Sequence, residues 1–197
     1  ITPNQITLLS LLTGFAAIPL FWRGHLWWGI LLALITDILD GLDGRQARIQ
    51  IKTSKLGELE HIGDKVVEIG WMLALGWHFS GGTQNPLLLW MTLGWVFFHF
   101  LDNAAYSLFR RLRRMMIDEA RPFDRVFRGI VGCRNNNVLL LTVGVAIGAP
   151  LAMFKFILAW SAVTALVHWI RVALLLPRSD SHLTWGEQQA AMPGKAD

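Results

Sequence analysis

Seven of the fourteen acidic residues fall between Asp37 and Glu68, where two strongly apolar segments meet. Carboxylates at membrane depth are rare unless they pair with cations or line a functional cavity, so a cluster this dense marks a site. The window reads Asp40-Gly-Leu-Asp43-Gly44-Arg-Gln-Ala47-Arg48, then eight residues to Gly57, then Glu60-His61-Ile-Gly-Asp64. Asp37, Asp40 and Asp43 recur at steps of three, and Glu60, Asp64 and Glu68 at steps of four, so on helices each set shares one face. Two such stripes facing each other repel, by roughly 4 kcal/mol per pair at about 4 Å and an effective dielectric of about 20. A hard divalent cation with oxygen ligands supplies the missing compensation.

The surroundings of this window belong in a bilayer. With 53% hydrophobic and 16% charged residues, the chain is far more apolar than a soluble domain of its length. The single cysteine, Cys133, excludes an internal disulfide and a cysteine-based zinc cluster. A start at Ile1 without Met or a signal-peptide pattern predicts a piece of a longer protein, with room for a soluble domain ahead of it. Apolar stretches run over 5–22, 26–43, 58–79, 86–109, 137–154 and 156–177, each near the ~20 residues that cross hydrocarbon. The expected fold is therefore all-α, a polytopic membrane protein with six transmembrane helices. Residues 1–178 form the transmembrane domain and 179–197 a polar tail.

Turn chemistry separates the stretches at Arg23-Gly24-His25, at Ser80 to Pro86 and near Pro150. Connections on one side are short and carry only Arg23 and Lys155, whereas 45–57 and 110–136 hold most of the basic residues. Lys and Arg near helix ends favour the cytoplasmic side, which places both termini there, in a cell inner or plasma membrane. Trp22, Trp27, Trp28, Trp77 and Trp90 gather toward the short-loop side, as an interfacial belt or as core tryptophans. The basic 110–134 segment interleaves Met115, Met116, Ile117, Phe123, Val126 and Phe127 with arginines and reads as lying along anionic headgroups rather than as a nucleic-acid patch.

The window resembles the motif of the CDP-alcohol phosphotransferases, Asp-x2-Asp-Gly-x2-Ala-Arg-x8-Gly-x3-Asp-x3-Asp. Asp40, Asp43, Gly44, Ala47, Arg48 and Gly57 match it at the right spacings. After Gly57 the chain is contracted by one residue, so Glu60 stands for the third acid and Asp64 for the fourth, and His61 is an alternative ligand. Thr2-Pro3-Asn4-Gln5-Ile6-Thr7 is similar to the start of the family's first membrane helix. The resemblance implies transfer of a phospho-alcohol group from a CDP-linked donor to an alcohol hydroxyl with release of CMP, requiring magnesium or manganese, in phospholipid biosynthesis. It implies Asp40, Asp43, Glu60 and Asp64 around two ions, with Asp64 also the general base. Asn4, Gly44, Ala47, Arg48 and Gly57 are then nucleotide-binding, with close helix packing the plainer explanation for the small residues. A homodimer is expected on the same ground.

Other polar positions have two readings each. Asp102 and Asn103 fit either an ion site or an interhelical hydrogen bond. Arg134, just ahead of the fifth stretch, is placed to meet the phosphate of an acceptor. Arg171, within the sixth stretch and one turn after His168, binds acceptor phosphate, pairs with a buried acid, or snorkels. CDP-diacylglycerol is the expected donor and a small polar alcohol, phosphorylated or not, the acceptor. A soluble CDP-alcohol acting on a lipid acceptor is the alternative within that chemistry. A divalent-cation transporter or sensor is the alternative outside it, disfavoured because the acids sit at one membrane face and the Gly-x2-Ala-Arg element has no purpose in ion coordination.

Overall fold

The structure is a computed structural model that describes the backbone of residues 3–50 and 56–176 and the side chains of residues 5–42 and 62–176. Every regular element among the described residues is helical: α1 (Pro3–Trp22), α2 (Leu26–Gln50), α3 (Leu56–Ser80), α4 (Pro86–Arg113), a 3-10 turn (Ile117–Glu119), α5 (Pro122–Arg128), α6 (Arg134–Ala146) and α7 (Pro150–Leu175). Three of them are long and apolar enough to cross a membrane, within Gln5–Trp22, Pro86–Arg113 and Pro150–Leu175. The charged residues of α3 and the 13-residue length of α6 set those helices apart, and the side chains of α2 are described only as far as Leu42.

Helix starts follow local chemistry. The Asn85 side chain accepts a hydrogen bond from the Leu88 amide at 3.2 Å and Pro86 follows at the first helical position, which together open α4. The expected fifth stretch, 137–154, ends instead at Ala146, and Pro150 opens α7 rather than lying near the end of the fifth helix. Gly148 takes a left-handed φ of +75°, and a proline at the next helix's first turn sacrifices no hydrogen bond, so the chain breaks there despite its unbroken hydrophobicity. At the other end of α7, the Arg113 guanidinium donates to the carbonyls of Leu175 (2.5 Å) and Leu176 (3.1 Å), satisfying acceptors that the helix terminus leaves open.

The six long helices close into a ring through their neighbours: α1 on α2 and α3, α2 on α6, α6 on α7, α7 on α4, and α4 on α3. Each gives residues to one core, including Phe21, Ile30, Trp71, Trp95, Leu141 and Phe154. Polar cross-links pin the seams, with Trp71 Nε1 donating to the Gly14 carbonyl at 2.7 Å and Trp95 Nε1 to Ser161 Oγ at 2.8 Å. A smaller cluster of Ala105, Phe109, Ile117 and Val172 fastens the 3-10 turn beneath α4 and α7. Outward faces are apolar as well, with Leu8, Phe97 and Leu166 about 60% exposed, a pattern suited to lipid rather than water. Trp22, Trp27, Trp28, Trp77 and Trp90 all stand on the exposed surface rather than in the core, which Trp71 and Trp95 fill. Met116, Phe123 and Val126 are exposed beside the arginines, and Ile117 and Phe127 turn inward, as an amphipathic surface segment requires.

Candidate active site

The ring places the acidic end of α2 against the start of α6, and α3 reaches the same point through the Arg134 guanidinium. Asp37 and Asp40 project from α2, Asp64 projects from α3, and the guanidinium of Arg134, the first residue of α6, lies among them. Its Nε donates to Asp37 Oδ1 at 2.9 Å, its Nη1 meets Asp64 Oδ1 at 3.2 Å, and its Nη2 meets Asp40 Oδ2. The other oxygen of Asp40 accepts from the Ser10 hydroxyl of α1. The Arg134 side chain is only 14% exposed, and both α2 carboxylates are buried to a similar degree, so these charges interact through little water.

The turn ahead of α6 fixes where Arg134 enters. The Gly132 amide donates to Thr164 Oγ1 at 3.1 Å, and Asn136 Nδ2 donates to the Val131 carbonyl at 2.8 Å. A Cβ at Gly132 would lie 2.8 Å from Ser161 Oγ and 3.1 Å from its Cα, so only glycine lets this turn press against α7.

Beside the carboxylates opens a cavity of about 600 Å³ bounded by α3, α4 and the segment leading into α6. Asp64, Lys65 and Glu68 line it from α3; His99, Asp102, Asn103, Tyr106, Ser107 and Arg110 line it from α4; Arg128 and Arg134 close the far side. Asp102 accepts from, or donates to, buried His168 of α7 at 2.5 Å (Oδ1 to Nδ1), so the interhelical hydrogen bond is present. Asn103 bonds within its own helix, to the His99 carbonyl at 2.8 Å.

Arg171 is not among the residues lining the cavity. Its Nε and Nη2 form a bidentate pair with buried Asp124 of α5, at 2.6 and 2.7 Å, and its guanidinium lies over the Phe123 ring. The buried-acid reading of Arg171 is thus realised, and Asp124, hidden among arginines in the sequence, is the acid.

Of the residues expected at the site, Asp40, Asp64 and Arg134 come together. The side chains of Asn4, Asp43, Ala47, Arg48, Glu60 and His61, and the surroundings of Gly44 and Gly57, lie outside the described residues. Sequence reasoning omitted Asp37 from the ligand set although its three-residue step to Asp40 pointed to it, and it had no signal for Ser10. Among the described residues, no group of three or more His, Cys, Asp or Glu side chains is gathered closely enough to hold an ion. The donor chemistry nevertheless suits one: carboxylates from two helices converge on a single buried cation, here the guanidinium, and hard divalent ions take the same oxygen ligands.

Comparison with known proteins decides the family. The sequence profile described as CDP-alcohol phosphatidyltransferase matches residues 1–177. The chain belongs to that family. As a CDP-alcohol phosphatidyltransferase it is a transferase and an integral membrane protein, in keeping with its three apolar spans and with the motif around Asp40 and Asp43. It is 28% identical over 188 residues to the bifunctional IPC transferase and DIPP synthase of Aquifex aeolicus (strain VF5), covering 93% of this chain and 39% of that protein. The Thermococcus kodakarensis protein of the same name is 42% identical over 83 residues, 38% of this chain and 17% of the relative. The chain thus spans well under half the length of both curated relatives. Among solved structures it is similar to Mycobacterium tuberculosis phosphatidylinositol phosphate synthase (PgsA1) with CDP-DAG bound, with a TM-score of 0.65 at 18% identity over 93% of this chain and 92% of that one. At that identity the likeness carries the fold.

Proposed function

We propose that this chain transfers a phosphatidyl group from CDP-diacylglycerol to the hydroxyl of a small polar alcohol, phosphorylated or not, with release of CMP, at the cytoplasmic face of a cell inner or plasma membrane. The observation that carries the reading is the convergence of Asp40 of α2 and Asp64 of α3 on one cation position beside a polar cavity. With Asp43 and Glu60 they would hold Mg2+ or Mn2+, two ions in all, which would neutralise charge on the pyrophosphate. Asp64 lines the cavity whereas Asp40 does not, so Asp64 is the group to take the proton of an acceptor hydroxyl held there. That oxygen bonds to the phosphorus carrying the lipid alcohol, the pyrophosphate bridge breaks, and CMP leaves. Arg48, with Asn4, Gly44, Ala47 and Gly57, would bind the nucleotide. Of the two arginines assigned to the acceptor, Arg134 lines the cavity and keeps that role, while Arg171 is held by Asp124.

The membrane arrangement proposed with this has six spans, α1 to α4, α6 and α7, both termini cytoplasmic, residues 1–178 as the transmembrane domain with 179–197 a polar tail, and a homodimer. At 1.5 Å per residue α6 reaches about 20 Å, so its flanking turns must share the crossing.

A second donor assignment has one observation in its favour. The curated relatives are named as bifunctional and are much longer than this chain, which suits a donor made by a neighbouring domain and therefore a soluble CDP-alcohol with a lipid acceptor. One assay separates the two. Purified protein with Mg2+ or Mn2+ is given labelled CDP-diacylglycerol and, in turn, glycerol 3-phosphate, inositol 1-phosphate, serine and inositol; CMP should appear with one of them. Release only with soluble CDP-alcohols and a lipid acceptor moves the assignment to the second donor. Silence with every pair sinks the transferase reading.

A further inference from the structure

Arg134 already occupies the cation position that the proposed metal needs, so the two compete. One guanidinium serves three carboxylates, and a divalent ion between Asp40 and Asp64 would repel it. A guanidinium buried to this extent is not stable without an anionic partner.

Deeper in the ring lie the groups that meet that need. Glu68 Oε1 is buried without a hydrogen-bond partner among the described residues, and so are both Nδ2 and Oδ1 of Asn137, a residue only 5% exposed. Native proteins rarely leave such groups unpaired. Glu68, Asn137 and Arg134 share one gap of about 20 Å³, otherwise walled by apolar side chains such as Trp71 and Leu141. Glu68 is one turn beyond Asp64 on α3, and Asn137 is one turn beyond Arg134 on α6. Glu68 and Arg134 also line the large cavity, so both side chains border the same two spaces.

We propose that Glu68 and Asn137 form a second seat for the Arg134 guanidinium, taken up when a divalent cation enters between Asp40 and Asp64. The inference rests on the metal reading above. It makes Glu68 and Asn137 positioning residues, and it ties release of Arg134 toward an anion in the cavity to metal occupancy.

Mn2+ binding to the purified chain without substrate, followed by the electron paramagnetic resonance signal of free Mn2+, tests this without reference to turnover. Arg134→Gln should bind Mn2+ roughly tenfold tighter, and Glu68→Gln roughly tenfold weaker, within the usual range of coupling between sites. In the Arg134→Gln background Glu68→Gln should then have no further effect. Glu68→Gln breaks no hydrogen bond or ion pair among the described residues, so it reports even if Arg134→Gln fails to fold. Unchanged or weaker Mn2+ binding by Arg134→Gln overturns the seat, as does a Glu68→Gln loss of equal size in both backgrounds. If Asp40→Asn abolishes Mn2+ binding while Arg134→Gln matches wild type, the seat alone fails. If Asp40→Asn and Asp64→Asn both bind Mn2+ like wild type, the metal reading fails and takes the seat with it.

Discussion

Asp64 stands at the junction of two environments, with one oxygen against Arg134 inside the acidic cluster and its side chain on the wall of the large cavity. In the proposed reaction that position lets Asp64 take a proton from a hydroxyl in the cavity beside the acidic cluster. Asp64→Asn preserves shape and one acceptor oxygen but removes the basic carboxylate, so turnover should fall by about 10²–10⁴-fold, the usual contribution of a general base. CDP binding, measured by calorimetry, should persist; full activity in the variant would transfer the role to another group. The spacing of acids made Asp40 and Asp64 legible, because three- and four-residue steps place side chains on one helical face whatever the tertiary fold. The bridging by Arg134 was not, since it depends on where the first turn of α6 meets α2. Nor was the pairing of Arg171: a buried arginine announces a need for an acid, but the helix that supplies it is chosen by packing.

That pairing is a contact between elements. The seven-residue α5 is too short to persist alone, and the fork from Arg171 of α7 to Asp124 clips it to the ring together with buried Phe127. Removing one partner leaves the other charge buried, which typically costs about 3–5 kcal/mol. Asp124→Ala should therefore lower the melting temperature of the purified protein clearly, whereas the apolar double variant Asp124→Leu/Arg171→Leu should melt closer to wild type than the single one does. A single variant that melts like wild type would show that α5 is held by its apolar contacts alone. Helix existence was readable from apolar runs and from Asn85-Pro86, which carry their cause locally. The end of the fifth helix was not, because hydropathy continues across Gly148 and the backbone conformation there, rather than composition, ends the helix. The 3-10 turn and α5 were hidden for the opposite reason: dense charge masks the few residues, Ile117 and Phe127, that anchor them.

On the scale of the whole molecule, the acids, the large cavity and the arginine-rich segment sit at one end of the ring, and the exposed tryptophans of the short turns lie toward the other. A closed ring of six helices returns the chain to the side on which it started, so a single orientation decides where the site opens. The basic 110–134 segment argues for the cytoplasm, because lysines and arginines beside a span resist translocation. In a Cys133→Ala background, a cysteine placed at Gln84 in the α3–α4 turn and another at Arg121 ahead of α5 should lie on opposite faces. In intact cells a membrane-impermeant maleimide should label Gln84→Cys directly, and Arg121→Cys only after permeabilisation. Labelling of both from outside would break the six-span arrangement. The reverse pattern would keep the spans but turn the carboxylates away from the compartment where CDP-linked donors are made, and with them the proposed reaction.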